Sequence, residues 1–161
     1  MNLSPGVFDV WTFRRDPDAT RYLLLRTSQA KADRYFNSGT FWQIPSNFVE
    51  DREDIEVAVA RCVELFGLQP ERIWAAEHAY TIYNRRFREM QLISVFAAEV
   101  RGSDVQLRPD EHSESGWYTF DQCLERVHYR GLKDGLLSVR EYITGVDHPA
   151  PELCLYDRDA R

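Results

Sequence analysis

Two long β-rich segments, residues 72–84 (RIWAAEHAYTIYN) and 88–102 (REMQLISVFAAEVRG), constrain this chain more than anything else in it. The charged stretch NRRFRE joins them and reads as a hairpin tip. Strands of this length need other elements to cover their apolar faces. The rest of the chain supplies candidates. Residues 7–15 (VFDVWTFRR) alternate apolar and polar, DPDAT makes a turn, and residues 21–27 (RYLLLRT) give a second strand, so this pair is a hairpin. A polar loop at 28–40 leads to an extended stretch at 41–50 broken by Pro45. Asp54 opens a helix, with acids 51–54 near its N-terminus and Gly67 as its stop.

After the long strands come a short strand (SGWYTF), a short helix from Asp121, and a final amphipathic helix over 129–145. Leu132, Leu136, Leu137, Val139 and Ile143 are that helix's expected core contacts. From Val146 on there is no periodicity. The expected organisation is one domain over 1–145 with a poorly ordered tail at 146–161. The order of elements gives an α+β class with a mixed sheet.

Charge and cysteine content narrow the function. The net charge of -6 disfavours broad electrostatic binding to DNA, RNA or an acidic membrane surface. No apolar run approaches the roughly 20 residues that span a bilayer. The start, MNLSPGVFDVWTF, lacks the basic and long apolar regions of a signal peptide. Cys62, Cys123 and Cys154 lie far apart, show no CxxC spacing and are odd in number. A reducing cytoplasm is the expected location.

The stretch GTFWQIPSNFVEDREDIEVAVARCVELFGL, residues 39–68, carries the functional signal. With the order of elements around it, it resembles the Nudix hydrolase superfamily, whose signature is G-x5-E-x7-R-E-U-x-E-E-x-G-U with U bulky and apolar. The resemblance covers roughly residues 7–145. FWQIP is similar to the family's WxxPxG entry, VEDRED to VExGE, AVAR to AAxR, and EHSESGW to a late acidic segment ending in tryptophan. It implies an α/β/α sandwich around a central mixed β-sheet. It also implies cleavage of nucleoside diphosphates linked to another group, with Mg2+ or Mn2+ as the cofactor if hydrolysis survives and none otherwise. A homodimer is a common state of such folds.

The box itself, residues 46–68, is degenerate. Anchored on Glu53, the pattern's arginine falls on Arg61. Cys62, Leu65 and Phe66 then stand where three glutamates belong, and Asn47 and Leu68 stand at the two glycines. Anchored on Gly67, Glu64 recovers one paired glutamate, but Arg52, Ala60, Arg61 and Leu65 fall on the other positions. Neither register restores the set. At about 100° per residue, Ile55, Ala58, Val59, Cys62, Leu65 and Phe66 share one face, which makes this a core helix.

A phosphoanhydride needs its charge neutralised and its water activated, and Mg2+ asks for hard oxygen ligands to do both. A thiol is too soft to replace a carboxylate there. By resemblance, the catalytic candidates are Glu53, Glu64 and Glu111, and the metal candidates are Glu50, Glu53 and Glu111. Each has a plainer reading. Glu50 and Glu53 sit where acids favour a helix dipole, Glu64 can pair with Arg61 at i, i+3, and Glu111 sits in a solvated loop. Arg26, Trp42 and Gln43 are the candidates for ligand contact. Tyr80, Tyr83, Arg85, Arg86 and Arg88 on the long hairpin offer stacking and phosphate contacts.

Three functions stay open. One is a nucleotide-binding protein with hydrolysis weak or lost, the second an active divergent pyrophosphohydrolase, and the third a protein-interaction domain without a small ligand.

Overall fold

The computed structural model describes residues 2–36 and 39–160. Strands β1 (Leu3–Arg15), β2 (Thr20–Thr27), β3 (Trp42–Gln43), β4 (Ser46–Phe48), β5 (Pro70–Asn84), β6 (Glu89–Val100), β7 (His112–Tyr118) and β8 (Cys154–Asp157) form one mixed sheet. Its main path runs β3-β2-β1-β6-β5-β8, with β4 on β1 and β7 on β2. The β1–β6 pair is parallel, and the other pairs are antiparallel.

The sheet is buried on both sides, and strand alternation shows how. On β1 and β2, Phe8, Val10, Leu23 and Leu25 enter one core, while Trp11, Phe13, Tyr22 and Leu24 enter the other. Helix α2 (Ile55–Glu64) covers the first core through Ala58, Val59, Cys62 and Val63. Helices α3 (Phe120–Arg126) and α4 (Arg130–Val139) cover the second. The result is the expected α/β/α sandwich of α+β class. Thr119 caps α3 with a reciprocal Gln122 box.

Four details differ from the sequence reading. The polar loop contains a helical turn, α1 (Gln29–Lys31), that continues as a wider turn to Phe36; Asn37 and Ser38 of that loop lie outside the described residues. Leu137 is exposed, because Leu132, Leu136, Val139 and Ile143 already fill the inward face of the last helix. Leu65 is exposed as well. Measured from Val59, it lies about 120° round the helix, whereas Val63 lies at about 40° and takes the core position. The C-terminal stretch contributes a strand: β8 pairs with β5, and Leu153 is buried against the second core. Backbone pairing to a sheet edge secures this segment, and such pairing leaves little periodic signal in a four-residue strand.

Candidate functional site

Pro45 lets the chain leave β3 and lie along β1 as β4. The next turn, residues 50–53, has Arg52 in the left-handed region with φ of 60°. Glu53 closes this turn. Its Oε1 accepts from the Glu50 backbone N–H at 3.0 Å and from Arg61 Nη2 at 2.9 Å, and its Oε2 accepts from Arg61 Nε at 2.8 Å. Arg61 Nη2 also donates to the Phe48 carbonyl at 2.8 Å. One guanidinium thus ties the strand, the turn and the helix together. Arg61's hydrogen bonds, with help from the Glu50 N–H, hold the Glu53 carboxyl well below the usual range, at about 2. Its side chain is 10% exposed, and both of its oxygens are engaged.

The other acids scatter. Glu50 is exposed, 3.8 Å from Arg61. Glu64 is exposed and lines an outer groove with Glu56, Ala60, Tyr156 and Arg158. Arg61's acidic partners are Glu53 and Glu50, so the expected Arg61–Glu64 pair does not form.

On the inner side of α2 lies a cleft of about 200 Å³. One wall is Cys62 of α2 with Leu65 and Phe66 of the turn that follows it. Cys62 is 1% exposed, and burial pushes its thiol up to about 12, so it is a neutral small hydrophobe. Leu65, 57% exposed, forms the lip. Gly67, with φ of 77°, ends the turn beyond the helix, and a side chain there would run into Gln106, another lining residue.

The facing wall comes from α1 and the turn before β7. Buried Ser28 joins the two. Its hydroxyl accepts from the Lys31 N–H at 3.0 Å and donates to the Asp110 carbonyl at 2.7 Å, and its own N–H donates to the Glu111 carbonyl at 3.0 Å. This stitching sets Lys31 Nζ 3.0 Å from Glu111 Oε2 inside the cleft. His112 is buried beside them. Burial, then the positive charge of Lys31, lowers it to about 4, so the ring is neutral at physiological pH. Arg108 completes this wall.

The ligand-contact candidates separate by strand alternation. Gln43 lines the cleft. Arg26 and Trp42 face away from it: the Arg26 guanidinium lies 5.5 Å from the Trp42 ring centre, its Nε donates to Thr40 Oγ1 at 3.0 Å, and Trp42 meets Tyr118 edge-on. On the long hairpin, Tyr80 donates to buried Asp9 on β1, and Arg86 stacks on Tyr35. Lys31 and Arg108 were missed by sequence reasoning. The one available signal was that Lys31 is one of two lysines among 20 basic residues.

A family model described as the NUDIX domain matches residues 6–136. The chain belongs to the NUDIX family. Solved structures agree on the fold. A candidate NUDIX hydrolase from Listeria monocytogenes superposes with a TM-score of 0.72 at 20% identity, covering 91% of this chain and 99% of that one. An Ap4A hydrolase from C. elegans, as a binary complex, gives 0.66 at 17% identity, covering 87% and 98%. The NUDIX domain of Shewanella oneidensis NrtR, complexed with ADP ribose, gives 0.65 at 16% identity, covering 88% and 89%. No curated protein matches the chain by sequence.

The NUDIX box of this chain does not suit a hard divalent cation. Among the described residues no three His, Cys, Asp or Glu side chains converge as a metal group. Among the described residues that line the cleft, Glu111 is the single carboxylate, and it faces an ammonium; Glu53 is held by a guanidinium. Mg2+ takes near-octahedral oxygen coordination, and a resident cation beside each carboxylate opposes a second one.

Proposed function

We propose that this NUDIX-family chain binds a nucleotide or a related phosphate compound in the cleft between α2 and the turn before β7, with standard metal-dependent hydrolysis weak or lost. One observation carries this reading: Cys62 of α2, with Leu65 and Phe66 just after it, forms one wall of the cleft at the box positions where the family pattern has glutamates. Without those carboxylates the site keeps a concave, mixed polar and apolar surface but lacks the means to activate water on a metal. The ligands named for the C. elegans and Shewanella proteins, Ap4A and ADP ribose, support a nucleotide-like compound as the class to try.

The competing reading is an active divergent pyrophosphohydrolase. Glu111 favours it, because this acid does line the cleft. Two measurements on one panel separate them. Thermal shift with ADP ribose, Ap4A and AMP reports binding, because a ligand that prefers the folded state raises the melting temperature. Phosphate or pyrophosphate release with Mg2+ and with Mn2+, beside Glu53→Gln and Glu111→Gln, reports chemistry. The proposal expects a shift without turnover. Turnover abolished by Glu111→Gln would establish the hydrolase instead, and no shift and no turnover with any compound would leave a protein-interaction domain.

A further inference from the structure

Lys31 occupies the cleft with a positive charge where a metal-dependent site would gather negative ones. Its side chain is 17% exposed, and its placement is fixed by the Ser28 bonds that also fix the Glu111 backbone. Among the described lining residues the charged side chains are Lys31, Arg108 and Glu111; Arg108, 77% exposed, also lies 3.9 Å from the exposed Asp110. The lining itself thus holds two cations to one carboxylate on a chain whose net charge is -6.

The pairing is also asymmetric. Glu111 is 39% exposed, so its carboxylate can turn to water at little cost, whereas Lys31 is held against the wall. With Glu111 turned out, the two cations face a phosphate monoester or a diphosphate link, each of about two negative charges. An ammonium has three donors and a guanidinium five, and the lining amides of Gln43, Asn47 and Gln106 add neutral ones. The exposed Leu65 and half-buried Phe66 give the rest of a ligand an apolar edge to lie on. A cleft of about 200 Å³ holds a phosphate and part of a nucleoside rather than a whole dinucleotide.

We infer that this cleft binds the phosphate of its ligand without a divalent cation, on the Lys31 ammonium and the Arg108 guanidinium, with Glu111 as the counter-ion that the phosphate displaces. The inference rests on the binding function proposed above and adds its chemistry: the phosphate of a nucleotide, as a monoester or in a diphosphate link, recognised by protein cations in place of a divalent ion. Binding then depends on Lys31 and falls with salt, and chelators leave it unchanged.

The test is calorimetric titration of AMP and ADP ribose into the protein in excess EDTA and, separately, in excess Mg2+. The expected result is affinity equal within about twofold in the two buffers, a loss of about tenfold or more in Lys31→Met, retention within a few-fold in Lys31→Arg, and tighter binding in Glu111→Gln. Melting curves without ligand check that each variant folds, and the buffer comparison on the unaltered protein stands whether or not Lys31→Met does. Binding that appears only with Mg2+ overturns the inference and leaves the binding function in place. Equal binding by folded Lys31→Met also overturns it. Binding in neither buffer overturns both.

Discussion

The two halves of the NUDIX box differ in what their side chains do in this chain. In the first half, the spacing between Glu53 and Arg61 is kept, and the two side chains meet in a two-pronged ion pair that also binds the backbone at Glu50 and Phe48. In the second half, Cys62, Leu65 and Phe66 give the cleft an apolar wall with no carboxylate. The first half shapes a turn and holds it on the helix, and the second would gather a cation. One motif thus contains a geometric function and a chemical one. Removing one partner of the Glu53–Arg61 pair would strand the other, whereas the cleft wall at Cys62, Leu65 and Phe66 holds no such pair.

That contrast can be broken at four places. The largest effect is expected from Cys62→Glu, which restores a box letter at a position 1% exposed. Burying a carboxylate there costs about 3 kcal/mol or more, a fall in melting temperature on the order of 10 °C. A stable Cys62→Glu that gains Mn2+ binding would mean the wall is an unfilled metal site. Next, Arg61→Gln should lower the melting temperature by a few degrees and change its acid limb. Glu53 is held at about 2 against an ordinary 4.5, so its contribution is present above pH 4.5 and lost as pH falls towards 2. Melting curves across that range should lose this part of their slope in the variant.

A smaller, pH-specific effect belongs to His112. Burial and Lys31 lower it from 6.5 to about 4, so between these values the unfolded chain binds the proton and the folded one does not. Stability contributed by the neutral ring is complete above pH 6.5 and declines as pH falls to 4. His112→Gln should flatten that segment relative to the parent chain, and an unchanged slope would place the titration elsewhere. The smallest effect is expected from Leu65→Glu, within about 0.5 kcal/mol, because Leu65 is 57% exposed. A large loss there would return Leu65 to the core that the helical periodicity suggested.

The fold was legible because its signals are long. The hairpin of β5 and β6, the alternation in β1 and β2, and the helix from Ile55 each repeat their pattern several times. The box departures at Cys62, Leu65 and Phe66 were legible in the register anchored on Glu53, which keeps the spacing to Arg61. Three things were not. Helix periodicity placed Leu65 in the core because it cannot tell the edge of an apolar face from its centre. The last strand pairs through its backbone and leaves no pattern in the side chains. The basic wall of the cleft joins Lys31 to the 108–112 turn through Ser28, a contact between residues 82 apart for which local sequence holds no signal.

Release of phosphate or pyrophosphate from ADP ribose and Ap4A in Mn2+, with Glu111→Gln beside the parent chain, tests the separation of shape from chemistry most directly. No release from a protein whose melting temperature rises with either compound is the predicted result. Turnover that Glu111→Gln removes would contradict it, and would mean that a single cleft carboxylate suffices for the chemistry.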